Sequence, residues 1–299
     1  MKKIVKNSVL IVDDEAINIF VLTNILSQEH TVFVAKNGAD AIKLAKKRMP
    51  DVILLDVLMP DMDGYTVISE LKRHTKTSNI PVIFITGLDS VDAEKKGLAL
   101  GAADYIPKPF SPDIVRLRVH NQLKIVNNTH SLDRRLRQQA LMTKIAHSFM
   151  AGGYSDSLFS ETLQIVGEFM RIDKALLFKY DAKSRVLKCH NEWINPKLKS
   201  ETRIGSEIRL VEPAISIIKG LQMSSEEHFC VHSNEPAFKE VMRTYRNNSN
   251  SYITTPIFIK GGFYAILDFS KKDDGQMWSE SEIDLTIFIA SIFSGAYVR

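Results

Sequence analysis

Five polar residues within the first 110 positions stand at or just after the ends of short apolar runs. They comprise three carboxylates, a hydroxyl and an ammonium group, namely Asp13, Asp14, Asp56, Thr86 and Lys108. If these side chains converge, the three carboxylates repel one another, and each would hold its proton unless a cation joined them. A hard divalent ion that takes oxygen ligands, most simply Mg2+, relieves that repulsion.

The same residues are suited to phosphoryl transfer. Mg2+ favours phosphate oxygens, Lys108 supplies a point charge for another phosphate oxygen, and the Thr86 hydroxyl can donate a hydrogen bond to it. Positioning and charge neutralisation provide most of the catalysis in such transfers. The sequence therefore predicts a magnesium-dependent site in which Asp56 is the nucleophile and forms an acyl phosphate.

The elements that must position these residues are five strand-like runs, which alternate with amphipathic segments of helical period. The runs cover residues 8–12, 31–35, 51–55, 81–86 and 104–106. This alternation predicts an α/β doubly wound fold, with a parallel sheet covered on both faces. Ligands of such sheets bind outside the carboxyl ends of the strands, where the five polar residues stand.

A resemblance to a known family rests on four segments, LIVDDE, LLDVLMPDMDG, FITG and GAADYIPKPF. Together they resemble the receiver domain of two-component response regulators, from residue 7 to about residue 125. The resemblance implies a flavodoxin-like (βα)5 domain in which Asp56 accepts a phosphoryl group from a sensor histidine kinase or a phosphotransfer protein.

The resemblance also implies roles for the neighbours of Asp56. The Mg2+ ligands would be Asp13, Asp14, Asp56 and the backbone carbonyl of Leu58. Thr86 and Tyr105 would form a switch pair, and the Lys108–Pro109 bond would be cis. Leu58 and Leu88 occupy positions that flank the path of the attacking water in receivers. Both are apolar and cannot orient a water, so we expect slow self-dephosphorylation.

The composition argues against several classes of protein. Hydrophobic residues make up 44% and charged residues 25% of the 299 residues, and no run reaches the roughly 18 apolar residues that span a bilayer. The net charge is +4, and the excess lies within residues 111–150, which carry seven basic and two acidic side chains. Because a global basic field is absent, we expect no nucleic-acid or membrane partner. The N-terminal apolar run is about five residues long and ends in acids, unlike a signal peptide, so we expect a cytoplasmic protein.

Residues 111–150 form a candidate helical connector, because Ser111 and Pro112 are typical of a helix start and no glycine or proline follows until Gly152. One heptad pattern has Val115, Gln122, Thr129, Leu136, Thr143 and Met150 at a, and Arg118, Ile125, Leu132, Gln139 and Ala146 at d. The segment NNTHS, residues 127–131, has a weak helix propensity and could break the helix. The connector is interpreted either as a lever, with the coiled coil of a homodimer, or as two separate helices.

Residues 151–299 predict an α+β domain, in which Gly261 and Gly262 form a hairpin turn and Ser279 with Glu282 forms a capping box. The segment TTPIFIKGGFYAILDFSKKDDGQMWSESEIDLTIFIASIFSGA, and more loosely NEPAFKEVMRTYRNNSNSYI, resemble a GAF domain. The resemblance implies a six-stranded antiparallel sheet with helices on one face and often a ligand pocket on the other.

A ligand of the GAF-like domain is not identified by the sequence. The Asn-Lys-Phe-Asp-Glu signature of cyclic-nucleotide-binding members is not visible, and neither Cys189 nor Cys230 matches the bilin-binding pattern. The histidines at 190, 228 and 232 have no spaced partners, so we interpret them as core or surface residues.

The predicted organisation is a receiver domain at 1–125, a connector at 111–150 and a GAF-like domain at 151–299. We expect a phosphoacceptor regulator rather than an enzyme, because no kinase, cyclase, phosphodiesterase or nucleophile-elbow signature is found. In this hypothesis, phosphorylation of Asp56 acts through the connector on the GAF domain. In the alternative, a small ligand of the GAF domain is the main signal and the receiver gates it, or the chain is the regulatory part of a longer hybrid kinase, cyclase or phosphodiesterase.

Overall fold

The computed structural model describes residues 6–87, 91–151, 155–198, 200–210, 231–232, 250–272 and 278–298. These residues fall into two compact units, the first ending at Asp133 and the second beginning at Arg134. Each unit has its own sheet and its own hydrophobic core.

The first unit alternates strands and helices along the chain. Its elements are β1 Ser8–Val12, α1 Ala16–Leu26, β2 Thr31–Ala35, α2 Gly38–Arg48, β3 Val52–Asp56, α3 Gly64–Arg73, β4 Val82–Thr86, α4 Val91–Ala99 and β5 Asp104–Pro107. The five strands form one parallel sheet in the order β2-β1-β3-β4-β5. The predicted doubly wound fold is therefore confirmed.

Burial on both faces explains why the strands of this sheet are continuous apolar runs. Every residue of β3 and β4 is buried. Alternate side chains enter two different cores, with Ile53 and Leu55 in one and Leu54 in the other. Burying each such side chain contributes about 1.5–3 kcal/mol. The sheet is therefore a rigid support for the residues at its carboxyl edge.

The second unit is an antiparallel sheet with helices on one face. Its elements after the long helix α5 Pro112–Ala151 are α6 Asp156–Met170, β6 Lys174–Asp181, β7 Val186–Ile194, β8 Glu207–Arg209, β9 Val231–His232, β10 Asn250–Ile259, β11 Gly262–Lys272 and α7 Glu280–Val298. The described strands form a six-stranded sheet in the order β8-β7-β6-β11-β10-β9. All of their pairings are antiparallel, as predicted.

The core of the second unit lies between this sheet and three helices. Phe149 of α5, Phe159 of α6 and Phe293 of α7 meet there, and the Phe159 and Phe293 ring centroids are 4.7 Å apart. Among the described helices, α7 alone is long and apolar enough to cross a membrane by composition. Its Leu285 and Ile289 side chains are fully buried in this core, which accounts for its apolar character.

Helix α5 runs without a break from Pro112 to Ala151, so the interruption considered at 127–131 does not occur. Its Val115 side chain is fully buried in the core of the first unit. Assigning Val115 to a coiled-coil seam was therefore wrong, because that side chain already packs within its own unit. By contrast, Ile125, Leu132 and Leu136 are 57–59% exposed.

Two local predictions in the second unit have different outcomes. The turn between β10 and β11 consists of Lys260 and Gly261, at φ 48° and 76°, and Gly262 already belongs to β11. Placing the turn at Gly261–Gly262 was therefore wrong by one residue. The capping box is confirmed, because the Ser279 amide donates to Glu282 Oε2 at 2.7 Å and the Glu282 amide donates to Ser279 Oγ at 3.3 Å.

Gly167 of α6 tests how tightly this core is packed. A Cβ added there would overlap the indole of Trp193 on β7. We expect Gly167→Ala to lower the free energy of unfolding of the second unit by about 1–3 kcal/mol, because the ring must move. The matched control is Gly295→Ala in α7, where a Cβ meets nothing within 4 Å and should stabilise by about 0.5–1 kcal/mol. Thermal and denaturant unfolding of both variants measure the two changes in stability. Equal changes for Gly167→Ala and Gly295→Ala would contradict the expected tight packing at Gly167.

Candidate functional site

The parallel strands of the first unit bring three acidic side chains together at one edge of the sheet. Asp13, Asp14 and Asp56 each offer an oxygen, and these oxygens lie within 4.8 Å of one another. Asp13 and Asp56 are only 1% and 3% exposed, whereas Asp14 is exposed. A set of three carboxylates, with room for water beside Asp14, is the kind of oxygen-rich site that Mg2+ takes. The residues present therefore fit that ion.

Lys108 is the cation that balances this cluster. Its Nζ lies 2.9 Å from Asp56 Oδ2 and 3.0 Å from Asp13 Oδ2. Its backbone amide donates to the Thr86 carbonyl at 2.7 Å, which fixes the chain beside β4. The Lys108–Pro109 bond is cis, as the sequence predicted. The structure thus brings together Lys108 and the two buried carboxylates from three different strand ends.

The protonation equilibria of this pair follow from burial and from their contact. Burial raises the pKa of Asp56, and the hydrogen bond and positive charge of Lys108 act against that rise. For Lys108, burial acts to lower the pKa, but the bonds to Asp56 and Asp13 outweigh it and leave the pKa raised. Lys108 therefore remains an ammonium group at neutral pH and holds both carboxylates by charge.

The loop after β3 and the start of α3 pack closely around Asp56. The Leu58 amide donates to Asp56 Oδ1 at 3.4 Å, and the Leu58 side chain is 58% exposed. A Cβ at Gly64 would collide with the Asp56 carbonyl, so the start of α3 approaches β3 as closely as only glycine permits. Asp63 caps α3 by accepting from the Thr66 amide at 2.8 Å. The Leu58 carbonyl as a metal ligand stays a prediction.

Thr86 and Tyr105, the predicted switch pair, lie on neighbouring strands. Thr86 is the last residue of β4 and is 8% exposed, and Tyr105 on β5 is half-buried. The Glu94 carboxylate, by its charge and by accepting a hydrogen bond from the phenol, raises the pKa of Tyr105. Their role as a switch stays a prediction, and Leu88 lies outside the described residues.

Sequence reasoning missed two residues of this site, Glu15 and Asn18. The Asn18 amide lies 3.1 Å from both carboxylate oxygens of Asp13 and 3.0 Å from Glu15 Oε2. Asn18 occupies the first turn of α1, five residues after Asp13. A polar residue at that spacing, on the turn that follows the strand end, was the available signal.

The candidate residues of the second unit do not form a comparable cluster. Cys189 is buried on β7, and burial raises the pKa of its thiol to about 12, so it is not a reactive thiolate. His190 Nδ1 lies 3.7 Å from Asp156 Oδ1, and its Nε2 lies 3.3 Å from Lys179 Nζ. Cys230 and His228 are outside the described residues. Within the part of the chain that the structure describes, the one group of three potential metal ligands is Asp13, Asp14 and Asp56.

Three known proteins illustrate what the chain is similar to. A probable cyclic di-GMP phosphodiesterase of Vibrio cholerae is 34% identical over 178 residues, which are 60% of this chain and 36% of that protein. Histidine kinase P4 of Formosa agariphila is 35% identical over 179 residues, which are 54% of this chain and 13% of that protein. The solved receiver domain of the Francisella response regulator 1452 is 32% identical, with a TM-score of 0.38, and the match covers 40% of this chain and 98% of that one. The chain thus spans only part of these two longer relatives.

Two family models match consecutive parts of the chain. Residues 9–120 match the response regulator receiver domain, and residues 155–296 match the GAF domain. The first match contains the acidic cluster and Lys108, and the second covers α6, the antiparallel sheet and most of α7. The chain therefore belongs to the proteins of two-component signalling and consists of a response regulator receiver domain followed by a GAF domain.

Proposed function

We propose that this protein is a phosphorylation-controlled regulator in which Asp56 accepts a phosphoryl group from a sensor histidine kinase or a phosphotransfer protein. The observation that supports it most is the position of Lys108 Nζ, within 3.0 Å of two buried carboxylates that belong to the candidate Mg2+ site. A nucleophile, a metal-binding carboxylate and a phosphate-binding cation in contact are the parts that phosphoryl transfer needs.

Each residue has a distinct role in the proposed transfer. An Asp56 carboxylate oxygen forms the new bond to phosphorus, and the bond from phosphorus to the donor breaks. Asp13, Asp14, Asp56 and the Leu58 carbonyl would hold Mg2+, which supplies charge neutralisation at the phosphoryl oxygens. Lys108 remains beside Asp56 and binds a phosphoryl oxygen, and the Thr86 hydroxyl donates a hydrogen bond to another.

The proposed response is a shift between two states of the receiver domain. A phosphoryl group adds a charged acceptor next to Thr86, which moves toward it, and Tyr105 follows inward. Tyr105 would exchange its present hydrogen bond to Glu94 for packing in the core. The change would then pass along α5, which continues past the receiver domain into the helix face that contacts the GAF core.

We also propose that the protein is a homodimer through the middle of α5. Ile125 and Leu132 are one heptad apart, Leu136 is one turn further, and all three are exposed. This spacing matches the seam of a two-stranded coiled coil once the positions that pack in the receiver core are left out.

A second candidate function is small-ligand sensing by the GAF domain. The sheet face opposite its helices carries an apolar cluster that includes Leu176, Phe178 and Ile266. On the same face, Asp268 is 2% exposed and accepts a hydrogen bond of 2.5 Å from Thr254. Buried apolar surface beside a carboxylate is typical of a pocket for a small molecule. Mass spectrometry of the native protein for a co-purified small molecule would distinguish this function from the first.

The phosphoacceptor role predicts a single modification that depends on Asp56 and Mg2+. With acetyl phosphate and Mg2+, the protein should gain the mass of one phosphoryl group, and Asp56→Asn should gain none because an amide is not a nucleophile. Chelation of Mg2+ should also abolish the gain. Asp61→Asn is the matched control, because Asp61 is exposed in the same loop at a positive φ of 68° that asparagine tolerates. Equal labelling of Asp56→Asn would contradict the role.

The apolar side chain of Leu58 leads to a prediction about the lifetime of phospho-Asp56. Because its exposed apolar side chain cannot orient an attacking water, we expect phospho-Asp56 to persist well beyond seconds. Leu58→Asn should shorten its lifetime, and Leu58→Met should leave it unchanged. Intact mass spectrometry after removal of the phosphodonor measures the decay. A lifetime of seconds in the unmodified protein would contradict the expectation.

The coiled-coil interface predicts that one charge in the seam dissociates the dimer. Leu132→Glu should shift the mass measured by light scattering from two chains to one, because two carboxylates would face each other in an apolar seam. Ser131→Glu places the same charge on the adjacent exposed position outside the seam and should leave a dimer. A Leu132→Glu variant that remains dimeric would rule out this interface.

A further inference from the structure

The hydrogen bonds of Asp13 are nearly complete before any metal is considered. Oδ1 accepts from the Glu15 amide at 2.9 Å, and Oδ2 accepts from Lys108 Nζ at 3.0 Å. The Asn18 amide reaches both oxygens at 3.1 Å. A carboxylate has about four acceptor positions, and these four contacts from three donors nearly fill them. The contacts therefore fix the direction in which an Asp13 oxygen faces a metal ion.

Asn18 differs from the other two donors in what it controls. The Glu15 amide is part of the backbone, and Lys108 is shared with Asp56 and with any incoming phosphoryl group. Of these three donors, the Asn18 side chain is the one that connects the Asp13 carboxylate to helix α1. The same Asn18 amide nitrogen also lies 3.0 Å from Glu15 Oε2. The half-buried Asn18 amide thus separates two carboxylates that would otherwise repel each other across the first turn of α1.

We propose that Asn18 is a positioning residue that sets the affinity of the receiver domain for Mg2+. It would do so by holding Asp13 in its ligating orientation and by keeping the Glu15 carboxylate away from it. This inference rests on the proposed function of the same site. Residues that orient a metal ligand by hydrogen bonding contribute up to about 10–100-fold to metal affinity.

Two effects of removing the Asn18 amide oppose each other. The loss of a donor leaves more negative charge on Asp13, which favours a cation, and the loss of orientation disfavours it. Mg2+ requires a near-ideal octahedral geometry, so it is sensitive to ligand direction. The Glu15 side chain is solvent-exposed, and water and salt screen its added charge. The loss of orientation is therefore the larger effect, and the affinity falls.

The experiment is a calorimetric titration of the unphosphorylated full chain with Mg2+, which needs no phosphodonor. For Asn18→Ala we expect the Kd for Mg2+ to rise by about 10-fold, the lower end of the range for such residues. The matched control is Asn24→Ala, the same substitution at an exposed position of the same helix, which should leave the Kd unchanged. An unchanged Kd in a folded Asn18→Ala variant would overturn the proposal.

A second variant separates orientation from a general effect on folding. Asn18→Gln keeps an amide donor on a side chain one methylene longer, so its Kd should lie between those of the unmodified protein and Asn18→Ala. A Kd as high as that of Asn18→Ala would show that the amide is not the group that matters. Phosphoryl gain from acetyl phosphate at saturating Mg2+ is measured in parallel on the unmodified protein. The unmodified protein could fail to gain phosphate while the Kd values still differ as expected. In that case the proposed function would fail and the role of Asn18 would stand.

Discussion

The ion pairs between Lys108 and the buried carboxylates of Asp13 and Asp56 are the interaction on which the arrangement of the candidate site depends. The two carboxylates are only 1% and 3% exposed, and a charge buried without a partner is strongly destabilising. A single ammonium group within 3.0 Å of both provides that partner. The pairing joins the end of β5 to the ends of β1 and β3.

The fold supplies rigidity where this pairing needs it. The strands that carry Asp13 and Asp56 are buried on both faces, so their ends cannot move apart without exposing apolar surface. The glycine at the start of α3 lets the following helix approach the Asp56 backbone, and the Thr86 carbonyl fixes the amide of Lys108. The side chains at the site are therefore held by elements whose stability does not depend on the charges themselves.

The sequence was informative wherever one physical requirement determined the residue pattern. Buried parallel strands need continuous apolar runs, and the runs at 8–12 and 31–35 coincide with β1 and β2. The three carboxylates and Lys108 could be placed together because parallel strands end at one edge. The turn at Lys260–Gly261 was misplaced because two successive glycines fit a tight turn equally well, and only the strand register distinguishes them.

Sequence reasoning failed at two further residues, Val115 and Asn18, for two different reasons. Val115 fits a heptad pattern, but such a pattern does not show whether an apolar position faces another chain or the core of its own unit. In this structure Val115 packs in the core of the receiver domain. The role of Val115 is therefore fixed by tertiary packing rather than by local pattern. Asn18 instead contacts residues only three and five positions away in the chain, Glu15 and Asp13, so its spacing was a local signal that was not used.

Two side-chain donors with different further partners contact Asp13, namely Lys108 and Asn18. Lys108 bridges Asp13 and Asp56, so its contacts would change in the proposed function, in which Asp56 carries a phosphoryl group. The hydrogen bonds of the Asn18 amide go to Asp13 and Glu15 rather than to Asp56. In the proposed function, the site binds the same ion before and after the transfer, which calls for one ligand whose support stays constant. Asp13, held by the Asn18 side-chain amide and the Glu15 backbone amide, would meet that requirement, and Lys108 would be left to bind the phosphoryl group.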